Sequence, residues 1–206
     1  MPEYRSGVGT PYWYEWEIGL LKCLEMMTDS SISSVTLQSV DFKSLDDVVV
    51  NYSDGSSHNI QVKHTDVESN FTYSTLVSGE SHMLEAWASD WKESKNSFHI
   101  TEIHIITNKT WGPSTRSGKC SFSHFINSVF PLWKQNYAFV GKNAEEQKAI
   151  CWFKEQIAFL EEDAPAFVRL LSFEQEGDLA DIEKKIENKI LILPTCKSGH
   201  KARHAA

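Results

Sequence analysis

The four cysteines form no CxxC pair. Cys23, Cys120, Cys151 and Cys196 stand far apart, which speaks against a zinc module and offers no disulfide framework. No apolar run approaches the roughly 18 residues that span a bilayer, and the opening Met-Pro-Glu-Tyr-Arg-Ser lacks the apolar centre of a signal peptide. The glycine spacing of a nucleotide P-loop, G-x-x-x-x-G-K-[ST], is missing even from the small-residue stretch TWGPSTRSGKCS. No GxSxG or Cys/His arrangement supports a hydrolase working through a covalent intermediate. These absences leave a cytoplasmic protein without a membrane partner as the expectation, and no internal repeat is visible.

What is present describes a globular chain. Its 206 residues suffice for one sizeable core, with 41% hydrophobic and 12% aromatic residues and seven tryptophans to fill it. Net charge is −8, which argues at first against a nucleic-acid partner. The distribution is uneven, however. Ile103 to Ala144 contains no Asp or Glu but holds Lys109, Arg116, Lys119, Lys134 and Lys142, while Glu145 to Lys189 is strongly acidic. One basic surface on an acidic protein is compatible with this pattern, and so is chance clustering in a loop-rich region.

Periodicity places the elements. Helices are predicted over Tyr12–Met27, Glu80–Lys95, Phe122–Val129, Ala144–Glu162 and Leu179–Lys189. Strands are predicted near Ser33–Ser39, across the hairpin from Asp47 to Lys63, at Phe98–Thr107 and at Phe167–Phe173. Interleaved helices and strands imply an α/β fold, a mixed central sheet flanked by helices. A single domain is expected over residues 1–196, with 197–206 a flexible tail or the start of a linker.

The hairpin raises a chemical question. Val48, Val49, Val50, Tyr52, Ile60 and Val62 build strands around the Asp54-Gly55 reversal, yet Asp47 opens the first strand while Gln61 and Lys63 end the second. Alternation puts Gln61 and Lys63 on one face, and Asp47 on the face of Val49. A solvated amphipathic hairpin explains this as well as a site does. The first helix weighs against the plainer explanation. On a wheel with Trp13 at zero, Trp16, Leu20, Leu21, Cys23, Leu24 and Met27 fall within roughly 80°, and Glu17 lies at about 40°, inside that arc. Glu15, Lys22 and Glu25 fall opposite. A carboxylate on a packing face needs a partner. It finds one in a core cation or indole, or at the hairpin's polar end. Asp47, Glu17 and the Gln61 amide oxygen are hard donors suited to Mg²⁺, and Lys63 is placed to stabilise developing negative charge. Together they suit metal-assisted phosphodiester hydrolysis.

Asp47 before an apolar run, then a turn, then Gln61-Val62-Lys63, resembles the PD-(D/E)xK nuclease superfamily in its QxK variant, and a Glu on the preceding helix belongs to that pattern. The combination GTPYWYEWEIGLL, LDDVVV, IQVKHTD and IHIITN is similar to the DNA-endonuclease domain of bacterial anti-phage defence, found in CBASS effectors and in antiviral STAND NTPases. The likeness is best over Gly7 to Asn108. It implies a restriction-endonuclease-like core and an enzyme cutting double-stranded DNA with Mg²⁺, or Mn²⁺ in its place. Asp47, Gln61 and Glu17 would be metal ligands, and with Lys63 they would form the catalytic set; Asp46 competes with Asp47. The implied partners are double-stranded DNA, a sensor or NTPase module, and further copies of the chain in the active state. His64, Lys109, Arg116 and Lys119 are weaker candidates for phosphate contacts. The alternative is a nuclease-like fold without catalysis that binds DNA or protein.

Overall fold

The computed structural model describes residues 10–65, 67–77, 82–113 and 117–193. Arg116 and the tail from Lys197 therefore lie outside the described residues. Five strands form the main sheet: β1 (Ile32–Leu37), β2 (Val48–Tyr52), β3 (Ser56–Lys63), β5 (His99–Thr107) and β7 (Leu171–Gln175), in spatial order β1-β2-β3-β5-β7. The first three pair antiparallel, and β3, β5 and β7 run parallel. A short parallel pair, β4 (Asn70–Phe71) and β6 (Thr110–Trp111), stands apart. This is the expected mixed sheet, and helices cover both of its faces.

On one face, Tyr14, Ile18, Leu21 and Leu24 of α1 (Thr10–Met26) and Ile182 and Ile186 of α8 (Leu179–Ile192) pack on Val48, Val50, Ile60, Val62 and Ile106. The other face carries the larger core. There Val49, Ile103 and Ile105 meet α2 (Tyr73–Val77), α3 (Met83–Ser94) and the helices between β6 and β7. Those helices are α4 (Phe122–His124), which runs through a π turn at Phe125–Val129 into α5 (Phe130–Gln135), then α6 (Ala144–Gln156) and α7 (Ala164–Leu170). Aromatic side chains dominate this layer, with Phe122, Phe125, Trp133, Phe153 and Phe167 fully buried.

Two boundaries depart from the periodic pattern. Phe167 to Leu170 is helical, and only Leu171 onward is strand. Pro165 starts the helix at its first turn, where a missing N–H costs nothing, and buried Phe167 and Val168 face the core from it. The long helix expected to reach Glu162 stops at Gln156. A 3₁₀ turn over Ala158–Asp163 follows, with Glu161 in the left-handed region at φ 53°.

The loop entering β2 is fixed from two sides. Asp90 of α3 is buried and accepts backbone N–H bonds from Lys43, Ser44 and Leu45 at 2.9, 2.9 and 3.1 Å. Buried Asn59 donates to the Leu45 carbonyl at 2.9 Å. A carboxylate accepting several backbone donors is a strong anchor, since removing it leaves those donors unsatisfied. Asp90→Ala should cost roughly 2 kcal/mol and lower the melting temperature by about 4–8 °C. Lys43→Ala, which breaks the exposed pair with Glu93, should lower it far less. Equal losses for the two variants in thermal denaturation would contradict this assignment.

Candidate functional site

β2 and β3 pair Val48 with Ile60 and Val49 with Asn59. Continuing that register one step puts Asp47 opposite Gln61. Asp47 Oδ2 accepts the Val62 N–H at 2.7 Å and lies 3.8 Å from Lys63 Nζ. Gln61, only 2% exposed, directs Nε2 towards Asp46 Oδ1 at 3.5 Å. All four residues line a cleft of about 470 Å³ whose opposite wall is α3, through Met83, Ala86, Ser89, Asp90 and Glu93. The structure thus brings Asp47, Gln61 and Lys63 together at the carboxyl end of β3. In a sheet with parallel strands, that end is where ligands bind.

The helix acid is not the one the wheel selected. Glu15 is 9% exposed, and its carboxyl group interacts electrostatically with Asp47, Asp46 and Lys63. Glu17 is half-buried and lies about 160° round the helix from Glu15, on its other flank. The wheel took the Trp13–Met27 arc for the packing face, whereas Tyr14 and Ile18 make the contact. Tyr14 fixes this rotation by donating from its hydroxyl to the Gly177 carbonyl at 2.9 Å. Gly19 permits it, because a Cβ there would meet Leu37 at 2.1 Å. Trp13, Trp16 and Leu20 consequently stay 43, 50 and 44% exposed.

The electrostatics of this corner follow from burial. Desolvation raises the Glu15 pKa to about 7, with the charges of Asp47 and Asp46 adding and a hydrogen bond from Gln38 opposing. Burial likewise raises Asp47, against the lowering effect of Lys63 and the Val62 N–H. Gln38 itself occupies the left-handed region at φ 49°, and its N–H donates to the Asp47 carbonyl at 2.9 Å. A non-glycine residue in that conformation costs of order 1 kcal/mol, and such strain gathers at functional sites.

These donors fit a hard divalent cation. Glu15 Oε1 is buried without a hydrogen-bond partner, and Asp47 lies beside the Lys63 ammonium at the strand end. Glu15, Asp47 and the Gln61 amide would hold the ion. Asp47 is at present shared between Val62 and Lys63, and among the described residues no three His, Cys, Asp or Glu side chains converge as a ready-made metal cluster.

The strand end is clamped by Thr107 and Asn108. Thr107 Oγ1 donates to the Lys63 carbonyl at 2.5 Å. Asn108 pairs with Thr65 through both its amide groups, at 2.7 and 3.0 Å. The candidate phosphate contacts are dispersed. The His64 ring lies against Tyr14 at 4.5 Å, and Lys109 is half-buried just past β5. Lys119 sits over the rings of Tyr73 and Trp152 at 5.3 and 5.4 Å, so its charge is turned towards aromatic faces. Lys134 is also drawn inward, donating to the Leu171 carbonyl at 2.6 Å with its pKa lowered by desolvation. Of this basic segment, Lys119 and Lys134 are thus turned towards the protein interior, while Lys142 is exposed. Asp90, Asn59, Glu15 and Gln38 are the site-building residues that sequence reasoning missed; the acids and amides carry no periodic signal that separates them from surface polar residues.

No family model matches the chain, and no curated protein is similar to it in sequence. Among solved structures, the Acinetobacter baumannii Cap4 SAVED/CARF-domain containing receptor with the cyclic trinucleotide 3'3'3'-cAAA aligns over 91% of this chain and 39% of its own, at 12% identity and TM-score 0.41. The same receptor with 2'3'3'-cAAA aligns over 91% of this chain and 37% of its own, again at 12% identity and TM-score 0.41. The chain spans well under half the length of these receptors, and so loose an overlap decides nothing about activity or ligand. Among the described residues no helix is long and apolar enough to cross a membrane.

The raised Glu15 pKa has a stability consequence. The folded state holds this proton more tightly than the unfolded chain, so protonation favours folding. Stability should fall as pH rises from about 4.5 to about 7 and then stay level with respect to this group. Glu15→Gln should therefore raise the melting temperature at pH 8 while leaving it unchanged at pH 4. Thermal melts of both proteins across that range check this, and parallel curves would refute it.

Proposed function

We propose that this chain is a metal-dependent double-stranded DNA endonuclease, acting as the effector of a bacterial anti-phage defence system. The observation that carries the reading is the meeting of Asp47, Gln61 and Lys63 in one cleft at the end of β3; the buried carboxyl of Glu15 from α1 feels the charges of Asp47 and Lys63 and has an oxygen without a hydrogen-bond partner. The defence setting rests on the resemblance of GTPYWYEWEIGLL, LDDVVV and IQVKHTD to the corresponding endonuclease domains.

A bound Mg²⁺ or Mn²⁺ would supply an acidified water and charge compensation for the attacked phosphate. The chain's own residues supply the remainder. Asp47 and Glu15 furnish negative oxygens in a partly dehydrated corner, where their attraction for a cation exceeds its value in water. Lys63, tethered 3.8 Å from Asp47, places an ammonium beside the phosphate to stabilise charge that grows during attack. Asp90 and Asn59 keep the Asp47 loop in register with β3 through Leu45 and its neighbours. An acidic chain with dispersed lysines binds a polyanion weakly alone, so efficient cutting should require several copies or a partner module.

One observation favours the alternative of a silent nuclease-like binding module: Asp47 is already shared by the Val62 N–H and Lys63. Incubation of concentrated protein with plasmid separates the two. Cleavage with Mg²⁺ or Mn²⁺ that EDTA abolishes is expected. Asp47→Ala and Lys63→Ala should lose at least about a hundredfold in rate, and Glu15→Gln should lose more than Glu17→Gln. Intact plasmid under every condition would establish the silent reading, and full activity in Lys63→Ala would refute the catalytic role given to Lys63.

A further inference from the structure

An amide differs from a carboxylate in having two unlike ends. Whichever way a glutamate turns, it presents an oxygen; a glutamine presents an oxygen on one side and an NH₂ donor on the other. Gln61 is 2% exposed and lines the cleft, so its orientation decides whether a cation there meets an acceptor or a repelling donor. Its Nε2 lies 3.5 Å from Asp46 Oδ1. An ionised carboxylate only accepts, so the amide end that faces Asp46 has to be the nitrogen. Asp46 is held for this by its backbone, whose carbonyl accepts the Ser39 N–H at 2.8 Å. Asp47 draws on the same NH₂ group, but a cation that claims Asp47 would withdraw that acceptor. Asp46 would remain.

We propose that Asp46 is a positioning residue: it retains the nitrogen end of the Gln61 amide, so that the oxygen end is the one offered to the cation. The inference rests on the metal site proposed above. It assigns the two acids of Leu45-Asp46-Asp47 different work, Asp47 as a ligand and Asp46 as the group that orients another ligand. It also makes Asp46 necessary only while residue 61 is an amide.

A cycle of Asp46→Ala and Gln61→Glu, alone and combined, tests this with two readouts that need no turnover. The first is hydrogen exchange of the Gln61 side-chain amide by NMR in metal-free Asp47→Ala protein, where Asp46 is the acceptor that remains. Exchange should be slow there and at least about tenfold faster when Asp46→Ala is added. The second is Mn²⁺ affinity by calorimetry. Asp46→Ala should weaken binding about tenfold when residue 61 is Gln, and less than about threefold when it is Glu, because a carboxylate needs no orienting. Equal losses in both backgrounds would overturn the proposal, leaving Asp46 as a mere negative charge. Unchanged Gln61 exchange on adding Asp46→Ala would overturn it whether or not metal binds. Wild-type protein that fails to bind Mn²⁺ would sink the metal reading, while the exchange comparison would still decide the positioning role. If Asp46→Ala does not fold, Asp46→Ser, too short to reach the amide, takes its place in the cycle.

Discussion

Asp46 and Asp47 line the cleft at the carboxyl end of β3, and Glu15, which feels both charges, is buried with an oxygen that no donor satisfies. Burial, with the neighbouring negative charges adding to it, makes Glu15 and Asp47 resist ionisation. The protein tolerates the arrangement because Lys63 and the Val62 N–H partly neutralise Asp47, and because Glu15 can keep its proton up to about pH 7. Stability alone gives no reason to place Glu15 there. The divalent cation proposed above would, since it would turn the repulsion into a set of favourable contacts.

Much of the scaffold serves to hold that corner. The loop before β2 has no strand partners of its own between Lys43 and Leu45, so its donors are collected by Asp90 from one side and its carbonyl by Asn59 from the other. Thr107 and Asn108 fasten the far end of β3. Gln38 accepts a left-handed backbone beside Glu15 and Asp47. These groups sit on separate elements, so the site depends on the packing of α1, α3 and the sheet together.

The hairpin was readable because its signals are local: valines of period two, an Asp-Gly reversal, and polar residues at matched positions. Register then follows from the turn, which is why Asp47 and Gln61 fall opposite one another. The helix was harder. Its apolar residues cover more than one face, and the wheel weights Trp13, Trp16 and Leu20 above Tyr14 and Ile18. What chose the face was a tertiary contact, Tyr14 to the Gly177 carbonyl, from a residue 163 positions away. The strand boundary at Phe167 failed for a similar reason, since a short apolar run fits a buried helix as well as a strand until Pro165 is weighed. Cations between Ile103 and Ala144 suggested a surface, but partners distant in sequence draw two of them inward, the Tyr73 and Trp152 rings for Lys119 and the Leu171 carbonyl for Lys134.

The most direct test is to follow the Glu15 carboxyl carbon by ¹³C NMR across a pH titration, first without and then with Mg²⁺. The account predicts a midpoint near 7 in metal-free protein and a drop of at least about one unit when Mg²⁺ is present, since a neighbouring cation favours the ionised form. A midpoint in the ordinary carboxylate range, indifferent to Mg²⁺, would contradict it.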